Sequence, residues 1–171
     1  SFAELKAEYD FITDYKRSWE SAPYAPTFLT VDAVVIQAGH VLMIKRRAAP
    51  GKGLWALPGG FVNQKEVLQD AIVRELREET RLKVPEPVLR GSIKRKVIFD
   101  DPNRSLRGRS VTTAFLFHLS EDFDLPEVKG YSDAQEAKWI PLAHINKMSE
   151  NIFEDHLSII NTLVARLTDR R

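Results

Sequence analysis

Apolar residues recur along this chain at two periods, and the changes of period divide it into elements. Phe2, Leu5, Tyr9 and Ile12 are spaced by three and four residues, which predicts a helix over residues 2–19. Ala22-Pro23-Tyr24-Ala25-Pro26 ends that helix and forms a linker. A run rich in β-branched residues predicts a strand from Phe28 to Gln37; Ala38-Gly39-His40 is a turn, and Val41 to Lys45 is the hairpin partner. Residues 48–53 read as a loop, and Leu54 to Leu57 as a short strand broken by Pro58-Gly59-Gly60. The helical period returns from about Lys65 to Arg81, and Pro85 and Pro87 bar its continuation. Val88 to Phe99 and Val111 to Leu119 read as two strands around a polar loop, with a further strand at Ala137 to Ile140 and a short helix at Pro141 to Lys147. Phe153, Leu157, Ile160, Val164 and Leu167 form the stripe of a closing amphipathic helix.

Strands with one central and one closing helix predict a mixed β-sheet sandwiched between helices, in the α/β (α+β) class. A length of 171 residues suits one domain preceded by an extra helix, so the expected division is helix and linker over 1–22 and domain over 23–171. The net charge of +1 gives no support for nucleic-acid binding. No apolar run approaches the roughly eighteen residues of a membrane span, so neither nucleic acid nor membrane is an expected partner. The absence of cysteine excludes disulfides, thiolate metal sites and cysteine nucleophiles. With no signal peptide visible, the expected setting is cytoplasmic. Composition leaves a homodimer open.

Chemistry enters with the central helix. At about 100° per residue, Leu68, Ala71, Ile72 and Leu76 share an arc. Glu75 and Glu79 fall inside it and Glu78 at its edge, while Glu66, Asp70, Arg74 and Arg77 point elsewhere. Carboxylates turned toward a buried side repel one another and call for a shared cation. Hard oxygen ligands suit Mg²⁺ or Mn²⁺. The competing reading is a solvated acidic helix, salt-bridged through Arg74 and Arg77.

The spacing from Gly60 through Glu66 to Arg74-Glu75-Leu76-Arg77-Glu78-Glu79-Thr80-Arg81-Leu82 resembles the Nudix box, G-x5-E-x7-R-E-U-x-E-E-x-G-U. It departs at Arg81, where the box has glycine, and that predicts a different helix end, with Thr80 or Arg81 satisfying the last carbonyls. The resemblance implies a Nudix hydrolase domain over 23–171. It implies metal ligation by Glu75 and Glu79, with Glu78 as ligand or base helper, and by a carbonyl at Gly59 or Gly60. Arg74 and Glu66 would orient the carboxylates. Arg46 and the Arg107-Gly108-Arg109 loop would meet phosphate, with Gly108 letting both guanidiniums face one ligand. Glu136 or Asp133 would supply a further carboxylate near the substrate. Trp55 and His156 are expected as core residues.

Pro23 to Phe28, Thr30 to Val34, Arg104 to Arg109 and Phe153 to His156 are similar to a branch of the family tied to NAD metabolism. That branch includes the C-terminal domain of a bifunctional nicotinamide-mononucleotide adenylyltransferase/ADP-ribose pyrophosphatase, and repressors of NAD genes. The implied activity is metal-dependent hydrolysis of ADP-ribose to AMP and ribose 5-phosphate. The alternatives are another nucleoside-diphosphate substrate, or an ADP-ribose-sensing domain without catalysis. The paired histidines of an adenylyltransferase are missing, and the chain starts at Ser1. It reads as the hydrolase part alone, processed or excised from a larger bifunctional enzyme.

Overall fold

A computed structural model describes residues 1–168. The last three residues of the expected domain, 169–171, lie outside the described residues. The sheet is built on β1 (Thr27–Gln37), which pairs parallel with β6 (Arg109–His118) and antiparallel with β2 (His40–Arg46) and β4 (Gly59–Phe61). Strands β3 (Trp55–Ala56) and β7 (Ala134–Pro141) join β2, and β5 (Ile93–Phe99) joins β6. This is the expected mixed sheet.

Side-chain alternation along β1 explains both layers. Val31, Ala33 and Val35 pack with Ala71, Ile72 and Leu76 of α2 (Leu68–Thr80). Val34 and Ile36 face the other way, onto Ile159, Ile160 and Leu163 of α5 (His156–Thr168). A central strand buried on both faces reads as a continuous apolar run, and so a polar residue within it stands out. In β1 the charged residue of that run is Asp32, which is 6% exposed, between the buried polar ends Thr30 and Gln37.

Several local expectations need correction. Val88 does not begin a strand: residues Glu86–Gly91 form helix α3, and β5 starts at Ile93. Pro85 and Pro87 stop α2 from continuing, but proline is tolerated at a first helical turn, where the N–H has no partner anyway. Glu86 then pairs with Arg90 one turn on, at 2.9 Å. Gly59 and Gly60 do not form a plain break but lie in β4, opposite Asp32 and Val31.

Arg81 adopts the left-handed cap that glycine normally provides (φ 48°, ψ 35°), and its N–H donates to the Arg77 carbonyl. The cap geometry is therefore kept, against the expected change. A non-glycine residue costs roughly 1 kcal/mol there. The Arg81 guanidinium stacks 3.7 Å over the Tyr131 ring, and the Thr80 hydroxyl donates to the Leu76 carbonyl, as expected of that residue.

The N-terminal helix α1 (Phe2–Arg17) forms as its spacing predicts, yet none of its residues is buried. Its predicted stripe faces outward at Phe2, Leu5 and Tyr9. The segment 142–151 is a short helix, α4 (Leu142–Ile145), followed by a 3₁₀ turn (Asn146–Asn151). No described helix is long and apolar enough to cross a membrane.

Candidate active site

A cavity of about 390 Å³ opens where β4, the end of β2 and the start of α5 meet. Its size lies within the range of ligand pockets, about 300–1,000 Å³. Glu75 and Glu79, one helical turn apart on α2, share its floor with Gly59, Gly60 and Asp32.

The two glycines allow close approach. The Gly59 N–H donates to Glu79 Oε1 at 2.8 Å. A Cβ at Gly60 would come within 2.6 Å of Glu75 Oε1, so a larger residue there would displace the carboxylate. Arg74 ties the turn to the helix. Its Nε and Nη2 grip Glu66 at 3.0 and 2.6 Å, and its Nη1 donates to Glu75 Oε1 at 2.9 Å. Glu66 also accepts from the Asn63 N–H at 2.9 Å. Those Arg74 bonds, then the Asn63 N–H, hold Glu66 below the usual carboxylate range. Glu78, three residues from Glu75 rather than four, is half-exposed, and the structure does not bring it to the cavity wall.

Glu79 is 4% exposed, and burial pushes its pKa well above the ordinary carboxylate value, against the Gly59 hydrogen bond. Burial likewise raises Glu75, to about 7, although the Arg74 bond opposes the shift. Two carboxylates facing one space, one paired with Arg74 and the other with the Gly59 N–H alone, leave oxygens that suit a shared cation. Among the described residues no group of three or more His, Cys, Asp or Glu side chains forms a metal cage. That donor set suits an ion held by one or two carboxylates that completes its shell with water and substrate phosphate.

A prediction follows for metal-free protein. Glu75 titrates near 4.5 unfolded and near 7 folded, so between those pH values the folded state holds an extra proton. Its contribution to stability is fully present at lower pH and is lost as pH rises through about 7, a loss of roughly 3 kcal/mol at most. A metal competes with the same proton. The Tm of metal-free protein should therefore fall between about pH 5 and about pH 8, and added Mg²⁺ should raise it more at the higher pH. Glu75→Gln should make both trends shallower, leaving the share that belongs to the buried Glu79, and Glu75→Gln/Glu79→Gln should flatten them; a full slope in the double variant assigns the proton elsewhere.

Three arginines, Arg46, Arg104 and Arg107, line the same cavity. Arg46 lies over the Phe153 ring at 4.2 Å and donates from Nε to the Pro50 carbonyl at 2.6 Å. Burial, and then repulsion from Arg107, lower its pKa. Arg107 comes from the 104–109 loop, with Nη2 3.6 Å from Glu154. The expectation that Arg109 would join it fails. Gly108 takes φ 134°, the strand begins at Arg109, and of the pair flanking Gly108 Arg107 lines the cavity while Arg109 does not. Glu136 fails likewise: it pairs with Lys45, whose side chain points away from the cavity side of β2. The nearby acid on the wall is Asp133. A bulge between Lys45 and Arg46 shifts the register here, as bulges at functional sites often do.

The sequence reading missed Asp32, Arg104, Phe153, Glu154 and the aromatic residues of α1 as wall residues. Asp32 carried a signal, a charged residue inside an apolar central strand. Its Oδ2 accepts from the Thr112 hydroxyl at 2.6 Å. His156, expected as a core or helix-start residue, is both, and it also lines the cavity. Its Nδ1 accepts the Leu57 N–H at 2.9 Å, which assigns the neutral ring's proton to Nε2, 3.7 Å from Asp32 Oδ1. Arg104 grips Asp155 through Nε and Nη2 at 3.0 and 2.8 Å. Trp55 packs against the core beneath α5, as expected, and its carbonyl accepts the Phe153 N–H at 2.8 Å.

Comparison with known proteins agrees with this geometry. The NUDIX domain family matches residues 26–162. An ADP-ribose pyrophosphatase of Methanocaldococcus jannaschii is 33% identical over 137 residues, 78% of this chain and 75% of its own. A bifunctional NMN adenylyltransferase/ADP ribose pyrophosphatase from Francisella tularensis, solved with AMP and Mn, superposes with a TM-score of 0.94 at 42% identity. That match covers 96% of this chain but about half, 49%, of the Francisella chain. The NUDIX domain of Shewanella oneidensis NrtR, solved with ADP ribose, gives a TM-score of 0.71 at 28% identity, over 91% of this chain and 97% of that one.

This chain belongs to the Nudix family. The class that its site and relatives define is that of a Nudix pyrophosphohydrolase.

Proposed function

We propose that this protein hydrolyses the pyrophosphate of ADP-ribose to AMP and ribose 5-phosphate, with Mg²⁺ or Mn²⁺ held by Glu75, Glu79 and a backbone carbonyl of Gly59 or Gly60. The observation that carries the reading is the meeting of carboxylates and guanidiniums in one cavity. The buried Glu79 and Asp32 and the partly buried Glu75 line it together with the guanidinium-bearing residues Arg46, Arg104 and Arg107. A metal–pyrophosphate unit satisfies both kinds of charge at once. The named activities of the Methanocaldococcus and Francisella relatives support the choice of ADP-ribose.

A bound metal of this kind lowers the pKa of water and stabilises charge on phosphoryl oxygens. The chain's own groups position. Arg74, braced by Glu66, fixes the Glu75 carboxylate, and the Gly59 N–H fixes Glu79. Arg46 and Arg107 bind phosphate oxygens and relieve their mutual repulsion by doing so. Asp32 on the floor and His156, with Nε2 3.7 Å from Asp32 Oδ1, would orient water there. Glu78 stands by on the half-exposed side of the helix.

A second reading has one observation in its favour. An ADPR-responsive repressor of Acinetobacter baylyi is 26% identical over 97% of this chain, and an ADP-ribose complex is known for the Shewanella domain. A sensor would bind ADP-ribose and leave it whole. All the acidic box positions stand here, which favours catalysis.

The substrate is tested by comparing kcat/KM for ADP-ribose, ATP and GTP. ADP-ribose should exceed both triphosphates; faster release of pyrophosphate from ATP or GTP would reject ADP-ribose and leave the family untouched. The phosphate contact is tested separately. Arg107→Ala should raise KM for ADP-ribose roughly tenfold, the scale of a charged hydrogen bond, with a smaller change in kcat. Arg109→Ala should leave both within error, and an equal rise in the two variants would contradict the geometry of the loop.

A further inference from the structure

The family match begins at residue 26, yet part of the cavity wall comes from before it. Phe11 and Tyr15 of α1 both line the cavity. Their rings lie 5.9 Å apart, and an aromatic row continues from Tyr15 to Phe28 at 5.7 Å and from Phe28 to Phe61 at 5.8 Å. The helix is not held there by a buried apolar face, because it has none. Specific contacts hold it. Near its middle, the Glu8 carboxylate accepts the Gly51 N–H at 3.0 and 3.1 Å and the Lys52 N–H at 3.4 Å. Beyond its C-terminus, the Trp19 ring lies against Gly108, where a Cβ would come within 3.6 Å of it. The helix is thus fastened to two loops. One follows Arg46, and the other carries Arg107.

We propose that Phe11 and Tyr15 form the subsite for the purine base of the nucleotide, with Glu8 as the positioning residue that fastens this wall to the 50–53 loop. The proposal rests on the ADP-ribose reading and names where its base lies. The charged end of the cavity is assigned to metal and phosphate. Phe153, the other aromatic wall, is covered by Arg46 at 4.2 Å and meets His156 edge-on at 5.3 Å. Phe61, 41% exposed, has Arg107 5.4 Å over its ring, which leaves the rings of Phe11 and Tyr15 as the aromatic wall with no cation over it among the described residues. Base–aromatic stacking tolerates any purine, so this wall supplies affinity for the nucleoside end without choosing the bond that is cut.

The test is equilibrium binding of AMP and of ribose 5-phosphate, each with Mg²⁺, by titration calorimetry on the full chain. The Phe11→Ala/Tyr15→Ala double variant should weaken AMP about tenfold or more and change ribose 5-phosphate less than about twofold. Glu8→Ala should shift AMP in the same direction, and Glu8→Gln, which keeps an acceptor oxygen, should recover most of the loss. Phe2→Ala, on the outward stripe of the same helix, is the control and should change neither ligand. Thermal melts keep the comparison to folded protein; if the double variant melts early, the Glu8 pair decides alone. Unchanged AMP affinity, or equal weakening of both ligands, overturns the proposal. A wild-type protein that binds AMP in this pattern but leaves ADP-ribose uncut would remove the hydrolase reading and keep this one.

Discussion

Glu79→Gln is expected to lower kcat at least about a hundredfold while Tm in metal-free protein stays near wild type. The carboxylate is almost wholly buried, and burial drives it toward its neutral form. Glutamine copies that form in shape and still accepts the Gly59 N–H, so the fold loses little. What disappears is the negative charge proposed to hold the metal. Glu66→Gln should do less harm, because Glu66 touches Arg74 and lies outside the proposed metal ligands. Mg²⁺-dependent rate and thermal melting on both variants check this. A near-wild-type rate in folded Glu79→Gln would remove that residue from the mechanism.

The second large effect separates the adjacent glycines. A Cβ on Gly59 would overlap the Val31 carbonyl oxygen, which is backbone in the central strand, and would come within 2.7 Å of Asp32 Oδ1. Neither strand can retreat without breaking the β1–β4 pairing. Gly59→Ala should therefore destabilise the protein by roughly 2–3 kcal/mol or more, the scale of overpacking. In a chain of this size that lowers Tm by about 5–10 °C. At Gly60 the obstacle is the movable Glu75 carboxylate, 2.6 Å away. Gly60→Ala should keep most of its stability and lose activity, because the carboxylate is pushed off its place. Melting curves and rates on the pair are the check, and a Gly59→Ala protein with wild-type Tm would contradict the packing described for β4.

The helix that carries the carboxylates was legible because its signal is local. The offset from Glu75 to Glu79 fixes both on one face whatever else the chain does. The sandwich was legible for the same reason, as β1 carries apolar residues on both parities. What the sequence hid was set by long-range registry. Arg109 and Glu136 looked as suitable as Arg107 and Asp133. The positive φ of Gly108 and the bulge at Lys45/Arg46 decide which of each pair turns inward. Arg81 shows a different limit. The pattern marked an unusual cap, but stacking on Tyr131, fifty residues away, is what accompanies arginine in a left-handed conformation. Helix α1 was read correctly as a helix, while its place against the cavity depends on Glu8 meeting the Gly51 amide, which no periodicity contains.

The central claim is that the Glu75/Glu79 floor cuts a pyrophosphate bond by means of a divalent metal. Product analysis of ADP-ribose incubated with the protein tests it most directly, run with Mg²⁺, with Mn²⁺ and with chelator. The account predicts AMP and ribose 5-phosphate in equal amounts with either metal, and none under chelation or in Glu79→Gln. Intact ADP-ribose in the presence of metal, with tight binding retained, would contradict it and make the domain a sensor.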